Sequence, residues 1–285
     1  MSSGRLDGQV VAITGAGAGL GKAYALAMAA EGAAIVVNDV DAAAAASTAD
    51  ELRTLGGRAE PDEHSIASAA GAEALVARAV EVFGQLDVMV TNAGADRRGP
   101  VLELTPDDWD ATLAVHLTGS IHCSVAAARV MREQGEGCII NVTSAAFHAG
   151  TPTMAPYCVA KGGIYSLMRS LALELGPLGI SVNAVSPPLT ATAPALAFVE
   201  QLAASLPAPE HADALRASIE SPEHVAPIVV FLATSAGRRL NGQVLTLGAA
   251  SLSATTVATS TVDRAATNDT PWTLDELEHA VGSLV

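Results

Sequence analysis

The stretch that most constrains this chain is a short apolar run, residues 9–14, that ends in Gly15-Ala16-Gly17-Ala18-Gly19-Leu20-Gly21 and continues into helix formers over residues 22–30. Strand, glycine turn and helix in that order let backbone N–H groups and a helix N-terminus approach a pyrophosphate. A glycine turn by itself also serves as a tight connection, so its context decides. Residues 33–38 read as a second buried strand, and Asp39 stands at its end, about 20 residues past the glycines, as a dinucleotide site requires. Its carboxylate suits both hydroxyls of an adenosine ribose and would repel a 2′-phosphate. No Arg or Lys lies at Ala16 to Ala18 or just after Asp39, so the expected cofactor is NAD rather than NADP.

The same alternation runs on. Strands are expected at residues 58–64, 86–91, 138–143, 180–186 and 244–247. Helices fall at 41–55, 71–83, 105–131, 153–175 and 221–233. Thr105-Pro106-Asp107-Asp108 opens the third of these with an N-cap, a proline at N1 and acids in the first turn. Residues 187–218 are rich in Ala and Pro and contain no clean strand. The pattern predicts an α/β fold: a single-domain Rossmann fold with a doubly wound seven-stranded parallel sheet and helices on both faces. It occupies residues 1–250, with a substrate loop at about 188–220 and a C-terminal extension over 251–285. Ligands bind such sheets at the carboxyl ends of the strands. Thr14-Gly15, Asn92-Ala93-Gly94, Thr143-Ser144 and Ser186-Pro187 all fall there.

Tyr157 and Lys161 are four residues apart on the helix at 153–175, which puts them on one face about 5–6 Å apart at Cβ. A fixed positive charge beside a phenol favours the phenolate, as a general acid-base requires. Such a pair also occurs as an ordinary surface contact. Lys22 and Lys161 are the only lysines, against thirteen arginines, so lysine has been kept here in a chain that otherwise uses Arg.

Composition excludes several classes. A net charge of −15 disfavours nucleic acid and anionic membrane surfaces, both of which need clustered cations. Cys123, Cys138 and Cys158 are odd in number and widely spaced, which fits neither a disulfide framework nor a zinc site. With no apolar segment after the N-terminus and no apolar run approaching the length of a membrane span, a soluble cytoplasmic protein is expected.

With these residues in view, the chain resembles the short-chain dehydrogenase/reductase family over roughly residues 6–250. Thr14 to Gly21 matches its Thr-Gly-x-x-x-Gly-x-Gly motif, Asn92-Ala93-Gly94 its strand end, and Ser144, Tyr157 and Lys161 its catalytic set. Within the family, the glycine turn, Val37-Asn38-Asp39, Val115-His116-Leu117 and Trp272-Thr273 are similar to the dehydrogenase domains of peroxisomal multifunctional enzymes of type 2. The resemblance implies that Tyr157 exchanges a proton with the substrate oxygen while hydride moves to or from nicotinamide. Lys161 then holds the nicotinamide ribose and Ser144 bonds the substrate oxygen. It implies cofactor contacts at Gly15, Gly19, Leu20, Gly21, Asp39, Ser65, Ile66, Asn92, Ala93, Gly94, Pro187, Thr190 and Thr192, and no metal.

Four departures stand out. His116 occupies the place of the family's helix Asn, which fixes a bend and holds a water behind the Lys; an imidazole there either keeps a water and adds a pH dependence of its own, or is a structural helix histidine. Ser65 replaces an Asp near the adenine. Pro187-Pro188 replaces Pro-Gly, which removes a backbone donor. Gly248-Ala249-Ala250 precedes a tail in which residues 251–270 read as a surface extension and 272–277 as a short docked helix.

Phe147, Met154, Leu189, Leu196, Phe198, Val199 and Leu202 lie on segments expected to flank the nicotinamide, so the substrate is expected to be a hydrophobic secondary alcohol or ketone, steroid, terpenoid or similar. A 3-hydroxyacyl-CoA is the alternative if Arg97-Arg98 meets phosphates rather than solvent. An alternative of another class is a catalytically silent NAD-binding sensor or scaffold. The resemblance also implies a homodimer or homotetramer formed through the two long helices, with Ala126, Ala127 and Ala128 allowing close contact or simply filling the core.

Overall fold

β1 (Val10–Thr14) lies inside the sheet, and its side chains alternate between the two faces. Val11 and Ile13 enter one apolar cluster while Val10 and Ala12 enter another. Burial on both faces is why this strand reads as an unbroken apolar run. The computed structural model describes residues 4–95, 97–204 and 208–257.

From β1 the chain passes through α1 (Gly19–Ala30), β2 (Ala34–Asn38), α2 (Ala42–Thr54), β3 (Arg58–Asp62), α3 (Ala69–Phe83) and β4 (Val88–Thr91). Next come α4 (Pro106–Leu113), a π-helical turn (Ala114–Thr118), α5 (Gly119–Gln134), β5 (Gly137–Val142), α6 (Ala146–Ala149), α7 (Ala155–Leu175) and β6 (Ile180–Val185). The described chain continues with α8 (Ala193–Ala203), α9 (Pro209–Ala217), α10 (Pro222–Ala233), β7 (Val244–Leu247) and β8 (Leu252–Ala254). The strand order is β3-β2-β1-β4-β5-β6-β7-β8. The first seven run parallel, as expected of a Rossmann fold with helices on both faces. The order reverses between β1 and β4, which opens a crevice at their carboxyl ends.

One face is covered by α1, α2 and α10, whose Tyr24, Met28, Leu52 and Val229 pack under the sheet. The other is covered by α3, α5 and α7 through Leu75, Met131 and Met168. Tyr24 is fully buried and its hydroxyl meets no hydrogen-bond partner among the described residues. Burial pushes that phenol well above its ordinary value.

The structure differs from the sequence expectation in three places. Residues 252–254, expected within a surface extension, form an eighth strand antiparallel to β7, with Leu245 opposite Ala254 and Leu247 opposite Leu252. The helix expected over 105–131 is interrupted by the π-turn at Ala114–Thr118. The 187–218 segment contains two helices, α8 and α9. The expected helix at 272–277, with Trp272, lies outside the described residues. Thr105 caps α4 as expected: it accepts from the Asp108 N–H at 3.3 Å, and its own N–H donates to the Asp108 carboxylate at 3.0 Å. Bonds from Thr105 hold that carboxyl below its usual range.

Pro106–Gln134, with a mean hydropathy of 1.2, is the one segment among the described residues long and apolar enough to cross a membrane. Cys123, Ala127 and Met131 are completely buried in it, on the side that packs against the sheet. All three cysteines are free thiols.

Candidate active site

At the end of β1 the chain turns at Gly15, with φ 64°, and enters α1 at Gly19, with φ 54°, both in the left-handed region that favours glycine. Gly21 has no room for a side chain: a Cβ there would strike the Gly15 carbonyl and come 2.7 Å from the Asn92 amide. Asn92 ties this turn to the end of β4. Its amide donates to the Thr14 carbonyl at 3.0 Å, and the N–H groups of Asn92 and Ala93 donate to Thr14 Oγ1 at 2.9 and 3.0 Å.

Asp39, half-buried at the end of β2, accepts from the Gly17 N–H at 3.1 Å and from the Asp41 N–H at 3.0 Å. Its carboxylate therefore closes over the glycine turn, where an adenosine ribose would meet it. The bare backbone at Gly15, Gly19 and Gly21 and the carboxylate beyond it fit a dinucleotide. On the adenine side, Ser65 is exposed, whereas the Ile66 side chain is buried against Gly119. Asp62, buried at the end of β3, accepts from the Asn38 amide at 2.6 Å and pairs with His64 Nδ1 at 2.8 Å.

A cavity of about 800 Å³ opens beside the turn, lined among others by Asn92, Gly94, His116, Ser144, Tyr157 and Lys161. Lys161 is only 4% exposed and donates from Nζ to the Val142 carbonyl at 2.7 Å. Its Nζ lies 5.5 Å from the centre of the Tyr157 ring. Lys22, by contrast, pairs with Glu51 at 2.6 Å on the surface. Ser144, just past β5, accepts from the Ala146 N–H at 3.3 Å through Oγ, which turns the chain into α6.

His116 sits within the π-turn and is 5% exposed. Its ring meets the Tyr157 ring edge-on, with centroids 5.2 Å apart. Gly94 is required beside it, since a Cβ there would approach His116 Nε2 to 3.0 Å. The π-turn thus falls where the resemblance puts Asn, with His in its place.

Pro187, Thr190 and Thr192 also line the cavity. Thr190 is buried and donates from its hydroxyl to the Pro188 carbonyl at 2.7 Å, and Thr192 caps α8 close to Gly19. Of the apolar residues expected to flank the nicotinamide, Met154, Leu189 and Phe198 face the cavity. The others do not line it. Val199 is fully buried, Leu196 and Leu202 are exposed, and Phe147 stacks on Tyr165 at 4.7 Å.

Two residues were missed or misjudged in the sequence. Arg98 and Arg97 read as one basic pair, but Arg98 is half-buried in the cavity lining while Arg97 is exposed. Which of the two faces the cavity is set by the path of the loop after β4, which composition does not encode. Glu220 anchors the segment that follows β6: its N–H donates to the Leu189 carbonyl, its carbonyl accepts from Ala191 N, both at 2.8 Å, and its carboxylate meets His224 Nδ1 at 2.8 Å and Ala249 N at 3.2 Å. The bond from His224, then that from Ala249, holds its carboxyl below the usual range.

Known proteins share this chain's sequence pattern and fold. The sequence profile of the family described as short chain dehydrogenase matches residues 9–202. The short-chain reductase protein NovJ of Streptomyces niveus is 39% identical over 68% of this chain and 73% of its own. The (2S)-[(R)-hydroxy(phenyl)methyl]succinyl-CoA dehydrogenase subunit BbsD of Thauera aromatica is 35% identical over 66% of this chain and 75% of its own. Among solved structures, a short chain dehydrogenase from Mycobacterium avium superposes with a TM-score of 0.84 at 33% identity, covering 99% of this chain and 95% of that one. A 7α-hydroxysteroid dehydrogenase complexed with NADH and 7-oxo glycochenodeoxycholic acid superposes at 0.77 with 30% identity, covering 88% of this chain and 97% of that one. By its sequence match, its fold and its relatives, this chain belongs to the short-chain dehydrogenase/reductase family and is an oxidoreductase of that family.

Proposed function

We propose that the protein transfers hydride between NAD and a hydrophobic secondary alcohol or ketone, with Tyr157 as general acid-base. The observation that carries this reading is the convergence of Ser144, Tyr157 and the buried Lys161 on one cavity at the crevice between β1 and β4. Nicotinamide, when bound, supplies or accepts the hydride. Ser144 Oγ donates to the substrate oxygen and orients it. Tyr157 Oη gives that oxygen a proton in reduction and takes it back in oxidation. Lys161, fixed by the Val142 carbonyl, binds the nicotinamide ribose and keeps a positive charge beside the phenol. Asp39 supports NAD over NADP, because a 2′-phosphate would meet its carboxylate.

The chemistry belongs to the Rossmann domain at residues 1–250, and residues 251–285 extend it. The protein works in the cytoplasm as a homodimer or homotetramer through α5 and α7. Ala126 and Ala127 belong to the core, so the contact falls to outward-facing apolar residues such as Val125, Val159 and Leu173. A 3-hydroxyacyl-CoA substrate is a second reading, favoured by Arg98 in the cavity lining.

The test is NADH formation against a broad panel of secondary alcohols. Tyr157→Phe should lower kcat by roughly 100- to 10,000-fold while NADH binding persists. Tight NAD binding with no NADH formation across the panel would leave the silent binding protein as the correct reading.

A further inference from the structure

β3 borders the sheet and has one neighbour, β2, with Asp62 opposite Asn38. Beside it, α2 and α3 present small side chains: Ala45, Ala46, Ala74 and Ala77, together with Asp62 and His64, line a second cavity of about 620 Å³. Apolar packing is therefore thin at the carboxyl end of β3, next to the strand end that carries Asp39. Hydrogen bonds take its place. The Asp62 carboxylate is only 2% exposed, and a buried charge persists where bonds compensate its desolvation. It accepts from the Asn38 amide at 2.6 Å and from the His64 N–H at 3.2 Å, and it meets His64 Nδ1 at 2.8 Å. The Asn38 amide also donates to the His64 carbonyl at 2.9 Å.

Asn38 is thereby fixed on two sides. Its side chain is held by Asp62, and its carbonyl accepts from the Ala16 N–H of the glycine turn at 2.9 Å. Asp39 is the next residue. Its N–H donates to the Asp62 carbonyl at 3.0 Å, and its own carboxylate reaches the Gly17 N–H at 3.1 Å. The direction in which that carboxylate points follows from the backbone at Asn38, which Asp62 clamps.

We propose that Asp62 is a positioning residue for Asp39: through Asn38 it holds the carboxylate that meets the adenosine ribose and repels a 2′-phosphate. This rests on the cofactor reading above, in which Asp39 makes that choice. Asp62 acts through its neighbours and not on the cofactor.

The test measures the affinities of the full chain for NADH and NADPH by fluorescence titration, without turnover. Asp62→Ala should lower the ratio of NADH to NADPH affinity by about three- to tenfold, the size of one hydrogen bond to a charged group. Asn38→Ala should do the same, since it removes the link between Asp62 and Asp39. Asp62→Asn, which keeps an acceptor for the Asn38 amide, should retain most of the original ratio. In an Asp39→Ala background, Asp62→Ala should change the ratio by less than about twofold, because the group it positions is gone. Where Asp62→Ala fails to fold, Asn38→Ala carries the same comparison. Equal loss of affinity for both cofactors, with the ratio unchanged, would assign Asp62 to the fold alone and overturn the proposal. A ratio that falls in Asp39→Ala but in neither Asp62→Ala nor Asn38→Ala overturns the positioning role and leaves the cofactor reading standing. A ratio insensitive to Asp39→Ala overturns the cofactor reading, and the positioning role with it.

Discussion

The His116 ring stands edge-on to the Tyr157 ring, with centroids 5.2 Å apart and planes at 84°. The residue that replaces the family's helix Asn therefore packs directly on the proposed acid-base, and it does so from the π-turn at Ala114–Thr118. His116→Asn should cost about 1 kcal/mol of stability through loss of the ring contact and keep activity within about tenfold. Denaturation and a pH profile of kcat/KM check this. A loss beyond about a hundredfold would show that the imidazole itself is required.

Asp39 closes over the glycine turn through the Gly17 N–H. Asp39→Ala removes the acceptor for the ribose hydroxyls and the charge that repels a 2′-phosphate. The ratio of kcat/KM for NAD over NADP should fall by roughly ten- to a hundredfold, the size of one or two charge-assisted hydrogen bonds. An unchanged ratio would place cofactor choice elsewhere.

Glu220 ties the segment after β6 to the segment after β7, and bonds from His224 and Ala249 depress its carboxyl. A depressed carboxyl stabilises the fold above its unfolded value, and the contribution is lost as pH falls through the folded value. The protection of the Ala191 and Ala249 amides, taken relative to their intrinsic exchange rates at each pH, should therefore stay high near neutrality and fall as pH drops below about 4.3. In Glu220→Gln that protection should be lower near neutrality and change less on acidification. Equal profiles would show that the carboxylate does not hold the loop.

Tyr24 keeps a fully buried hydroxyl without a hydrogen-bond partner among the described residues. Tyr24→Phe keeps the shape and removes the desolvated group, so stability should stay level or rise by about 1 kcal/mol in chemical denaturation. A loss of more than that would reveal a partner for the hydroxyl.

What was legible in the sequence was chemistry fixed by local spacing. Gly15 to Gly21, the Asp39 strand end and the Tyr157–Lys161 interval each specify geometry within one turn or one strand. The π-turn was not legible, because Ala114 to Thr118 reads like any helical segment. The starts of α8 and α9 carry ordinary helix signals: Thr192 caps the first, and Pro194 and Pro209 stand in their opening turns. Strand β8 has neither β-branched nor aromatic residues in Leu252-Ser253-Ala254, so only its pairing with β7 makes it a strand. Arg98 and Arg97 were inseparable by composition and differ only in which side of the loop each occupies.

That short strand also determines how the sheet ends. Along β7, the Thr255 N–H donates to the Val244 carbonyl at 2.9 Å, and the exposed β8 gives water a short border in place of an open one. At the opposite border, β3 carries Pro61, which cannot donate to an incoming strand. Proteolytic clipping before Leu252 would uncover the backbone of Leu245, Thr246 and Leu247, and a second clipped molecule could pair with it. Strand β8 thus keeps β7 from offering an open edge to another molecule.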